Sequence, residues 1–86
     1  MKYEKPILKR EVIKVFENEC NLDNYELVAL VDAFEDLRLL REESDPATLR
    51  TGHAMLYGTV NFLAAAQHIT EAQCGALLLI ADKIIS

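Results

Sequence analysis

Glycine and proline are scarce, three and two in 86 residues, and no stretch alternates apolar with polar side chains. A strand buried on one face needs that alternation, and hairpins draw on glycine-rich turns, so no β-sheet is expected. The spacings that hold metals are also missing. There is no Cys-x-x-Cys, no His-x-x-x-His and no Glu-x-x-His, and His53 and His68 would stand about four turns apart on one helix. No Gly-rich loop is present to cradle a phosphate. Cys20 and Cys74 are read as free, buried, small apolar side chains. No metal and no cofactor is expected.

Charge of either sign is absent from one long stretch: between Arg50 and Glu71 there is no Asp, Glu, Lys or Arg. Elsewhere it is segregated. Residues 1–14 carry Lys2, Lys5, Lys9, Arg10 and Lys14 against Glu4 and Glu11, whereas residues 15–50 carry ten acids against three arginines. The net charge of −5 opposes non-specific attraction to nucleic acid or an anionic membrane. The charge-free stretch contains His53, Asn61, Gln67 and His68, and the apolar run after it is short for a bilayer and holds Asp82 and Lys83. A membrane hairpin is therefore not expected. Charge interrupts the first apolar positions, which reads as neither a signal peptide nor an anchor and leaves a cytoplasmic protein as the expectation.

What is present reads as an all-α chain of about four helices with short connections, one domain over residues 1–86. Pro6 suits a first helical turn, and Leu8, Val12, Val15 and Phe16 recur at helical spacing, with Ile13 and Cys20 on the flank of the arc, so a first helix is expected over 6–19. Asp23 and Glu26 have the form of a capping box, followed by Leu27, Leu30, Val31, Phe34 and Leu37 on one face of a second helix, 24–42. Glu42 and Glu43 oppose the dipole there and favour an early stop. Ser44-Asp45-Pro46 opens a third helix, lined by Leu49, Leu56, Val60 and Leu63. Small pairs, Thr51-Gly52, Gly58-Thr59 and Ala65-Ala66, repeat every seven residues beside a Met55 and Phe62 stripe. Two glycines within a helix together cost about 2 kcal/mol of helix propensity, so a packing reason is expected for them. Thr70 and Gln73 form a second capping box before a fourth helix, 71–85, whose apolar positions run almost all the way round.

A small chain with a greasy last helix is expected to need a partner, because about 60–65% burial leaves a monomer of this size marginal. The simplest partner is a second copy across a two-fold axis, with Met55, Gly58, Phe62, Ala65, Leu77, Leu78 and Ile85 as the interface. The second helix carries acids on its outer side, with Val28 and Leu39 off the core arc. Val28, Asp32, Glu35, Asp36 and Leu39 are therefore the candidate contacts for a protein partner, one that is basic or normally binds nucleic acid. His53 and Tyr57, one turn apart, could relay a proton. No nucleophile accompanies them, and an enzyme is not expected. The expected function is a small homodimeric protein–protein interaction module: an adaptor, a chaperone-like factor or an inhibitor. The alternative is a transcription regulator using the basic first helix on DNA.

Overall fold

The computed structural model describes residues 4–86, so Lys2 of the basic cluster lies outside the described residues. Four helices follow in order: α1 (Lys5–Lys14), α2 (Asn24–Glu43), α3 (Pro46–Ala65) and α4 (Glu71–Ile85). No strand occurs among the described residues, and no helix there is long and apolar enough to cross a membrane. The start signals act as read. Asp23 accepts from the Glu26 N–H at 2.8 Å while Glu26 accepts from the Asp23 N–H at 3.0 Å. Asp45 accepts from the Thr48 N–H at 2.7 Å, which holds its carboxyl below the usual carboxylate range. Thr70 and Gln73 close the second capping box.

Two ends fall elsewhere than expected. α1 stops at Lys14 rather than 19, because Val15, Phe16 and Glu17 tighten to bonds three residues back, onto Val12, Ile13 and Lys14. That turn delivers Phe16 to the core and lets buried Leu22 follow it, while Cys20 is left exposed instead of buried. α2 continues through Glu42 and Glu43. Arg38 lies 3.6 Å from Glu42, and Arg41 occupies the last turn, so cationic groups offset the acids there. α3 closes with Gln67 at φ 63°, its N–H bonded to Ala64 O and the His68 N–H to Leu63 O. This is a Schellman ending with glutamine at a position that favours glycine. The Gln67 and His68 backbone N–H groups satisfy those two carbonyls.

The core joins Leu8, Val12 and Phe16 of the first segment to Leu30, Phe34 and Leu37 of α2, Leu56 and Val60 of α3, and Leu77, Ile80, Ala81 and Ile84 of α4. α4 packs against all three other helices, while α1 and α3 lie on opposite sides of the α2–α4 pair and do not meet. The expectation that α4 needs a second copy is thereby corrected. Leu77 is fully enclosed by its own chain, Leu78 and Ile85 are half-buried against the same core, and only Leu79 stays largely in water. Gln73 contributes a second tie, since its Nε2 donates to the Glu19 carbonyl at 2.6 Å and fastens the start of α4 to the loop after α1.

Of the two α3 glycines, one has its packing reason within the chain. A Cβ on Gly52 would lie 2.5 Å from Leu40 Cδ1, so glycine lets α3 settle onto α2; a Cβ on Gly58 would meet nothing within 4 Å. Gly52→Leu is expected to lower stability by about 1–3 kcal/mol through overpacking. Gln67→Gly is expected to raise it by about 0.5–1 kcal/mol by relieving the left-handed residue. Urea unfolding of both variants checks these opposite signs.

Candidate functional site

Three surfaces could carry function, and the first is polar. His53 and Tyr57 project from α3 towards Asp82 of α4. The Tyr57 hydroxyl lies 2.7 Å from Oδ1 and 2.8 Å from Oδ2, and His53 Nε2 lies 3.0 Å from Oδ1. A carboxylate only accepts, so Nε2 carries the proton. The two rings are tilted against each other with centroids 4.5 Å apart. The Tyr57 hydrogen bond, then that of His53, holds the Asp82 carboxyl below the usual carboxylate range. The same bond to Asp82 raises the Tyr57 phenol above its ordinary value. Grooves lie elsewhere: between α1 and α2, beside α1, between α2 and α3, and between α1 and α4. The cluster pins α3 to α4. Sequence reasoning paired His53 with Tyr57 but missed Asp82, whose only signal was a charge set among apolar residues.

The second surface is the outward side of α2. Tyr25, Val28, Asp32, Asp36 and Leu39 recur at three-, four- and seven-residue intervals, which places them on one stripe. Tyr25 is 90% and Val28 60% exposed; Leu39 is just exposed, and Asp32 and Asp36 face water between them. Glu35, expected on this stripe, is engaged elsewhere. Arg38 grips it through Nε at 2.8 Å and Nη2 at 2.5 Å, and these bonds, with the Arg38 charge and then Lys5, hold it below the usual carboxylate range. Glu35 and Asp32 border an apolar groove of about 280 Å³ floored by Leu8, Leu27 and Val31, with Lys5 and Lys9 of α1 on its other rim. Two of the basic residues thus look onto acids of their own chain. Tyr25 was not anticipated, although its place seven residues before Asp32 and fourteen before Leu39 marked it.

The third surface is the outer side of α3. Thr51, Ala54, Met55, Gly58, Phe62 and Ala65 are exposed there, Met55 at 69% and Phe62 at 68%. Of the seven residues expected at a dimer seam, the four from α3 share this face. The three from α4 do not: Leu77 is interior, and Leu78 and Ile85 pack on the core. Cys74 is half-buried with its thiol 3.6 Å from Asn61 Oδ1. No three His, Cys, Asp or Glu side chains gather as metal ligands among the described residues.

Compared with known proteins, the chain matches no family model, no curated protein and no solved structure. The reading of function therefore rests on these surfaces alone.

The pH dependence of the polar cluster follows from the signs. Asp82 has a lowered folded value, so its contribution is complete above the unfolded carboxylate value near ~4 and is lost as pH falls through the lower folded one. Tyr57 is raised, so its contribution holds below about 10 and disappears as pH climbs through the folded phenol value. Asp82→Asn is expected to lower Tm at pH 7 and bring one tyrosine titration back towards the ordinary range. Ultraviolet absorbance of phenolate against pH reads this directly; an unchanged titration would mean that the hydrogen bond does not persist in solution.

Proposed function

We propose that this chain is a non-catalytic protein–protein interaction module of the cytoplasm, acting as a homodimer that presents the acidic stripe of α2 to a basic partner protein. The observation that carries this reading is the stripe itself. Tyr25 and Val28 stand exposed at one end and Leu39 at the other, with Asp32 and Asp36 between them. Exposed apolar anchors around fixed charge are the makings of a docking face: the anchors supply area to bury, and the carboxylates select a cationic group and steer its approach. A partner helix or loop with a lysine or arginine flanked by apolar side chains has the matching chemistry. A non-enzymatic role accords with the His53–Tyr57–Asp82 cluster, in which the tyrosine and histidine both spend their hydrogen bonds on one carboxylate that joins two helices.

The test uses charge reversal on the stripe. Asp32→Lys with Asp36→Lys, and separately Val28→Glu, are expected to weaken a specific protein partner by at least about tenfold, roughly 1.4 kcal/mol, with helical content and Tm little changed. The wild-type complex should also loosen as salt rises. A partner that binds both variants as tightly as the wild type would overturn the reading.

A further inference from the structure

We propose that the outer face of α3 is covered by the same face of a second copy, with the two helices antiparallel across a two-fold axis at Gly58. This rests on the homodimeric reading above and specifies which surface is shared and how. Charge distribution selects the occupant. The chain has net charge −5, and the acids of α2 or the cations of α1 would be set against themselves if either surface met its own copy. The face formed by Thr51, Ala54, Met55, Gly58, Phe62 and Ala65 carries no ionisable side chain. Two like-charged copies can meet there without opposing charges at the contact, and a self-complementary patch is what a two-fold interface requires.

The spacing of large and small residues fixes the direction. With the axis at Gly58, Phe62 lies opposite Ala54 of the second copy, Met55 opposite Asn61 and Thr51 opposite Ala65. Each bulky side chain then has a smaller one to pack beside. A parallel pair would set Phe62 against Phe62 and Met55 against Met55, and would align the two helix dipoles in the same direction. Gly58 sits at the closest approach, which supplies the reason for a mid-helix glycine whose own chain leaves its Cβ position open. The ends agree. The last turn of α3 has no basic side chain of its own, and Arg50 is exposed near the first turn. Antiparallel pairing brings Arg50 alongside Ala66 of the second copy, next to the carbonyls at that helix end, where a cation is favoured.

Cysteine cross-linking in a Cys20→Ser, Cys74→Ser background tests direction and axis together. Under mild oxidation Gly58→Cys is expected to form a disulfide-linked dimer, because residues on the axis meet their own copies at bonding distance. Thr51→Cys and Ala65→Cys are each expected to form no disulfide-linked dimer alone and to link when mixed. Light scattering at micromolar concentration should give a dimer for the wild type. It should give a folded monomer for Phe62→Glu and for Gly58→Leu, whose added side chain the single chain can accommodate. A dimer in which Thr51→Cys and Ala65→Cys each link to themselves, or one that survives Phe62→Glu, overturns this interface and leaves the homodimeric reading standing. A folded wild-type monomer throughout overturns both, as would a monomer whose α3 face binds lipid vesicles instead.

Discussion

Enclosure of α4 is the constraint from which the rest of this molecule follows. A helix with apolar residues almost all round its circumference must be covered nearly everywhere, and here three helices of the same chain cover it. Leu77, Ile80, Ala81 and Ile84 lose contact with water almost completely. To reach them, the first segment has to lie across α4 as well as α2, and this explains why α1 ends early and the chain turns at Phe16. The cover also separates α1 from α3, so α3 is braced only on its inner side. An unpartnered apolar surface is therefore found on α3, a helix with no Asp, Glu, Lys or Arg after Arg50, rather than on the helix with the highest density of leucine and isoleucine.

Polar groups set the geometry that apolar burial leaves free. Burial is non-directional, so a helix such as α4 could rotate or slide with little loss of covered area. Asp82 removes that freedom by binding two side chains of α3, and Gln73 removes it at the other end by reaching the Glu19 carbonyl. Arg41 adds a bond from the last turn of α2 to the Ser86 carbonyl. These contacts decide which side of α4 faces inward, and with it that Leu79 remains outside.

Much of the fold was legible from residue order. The capping boxes at Asp23 and Thr70 and the Asp45-Pro46 start each specify a helix beginning within a few residues, because their hydrogen bonds are local. The 3.6-residue recurrence of Leu30, Phe34 and Leu37, or of Leu56 and Val60, named the buried sides correctly. Helix ends were less legible. α1 ends where tertiary burial of Phe16 and Leu22 overrides a periodic pattern that continues past it, and α2 persists through Glu42 and Glu43 with Arg38 one turn before Glu42 and Arg41 in the same last turn. Glu35 read as a free surface acid, although Arg38, three residues on in the same helix, binds it; what no pattern within α2 records is that Lys5 of α1 also acts on it. The His53–Tyr57 pair was visible as neighbours on one helix, whereas Asp82 joins them across 25 and 29 residues.

The sequence by itself determined four helices, their beginnings and the apolar side of each, since capping and periodicity act over a single turn or a few. It also determined that one span would carry no charge. Only the tertiary structure decided which apolar residues are covered by their own chain and which stay exposed. That outcome depends on how the helices arrange around α4: Leu77 went inside, Met55 and Phe62 stayed out, and hydrophobicity alone does not distinguish them.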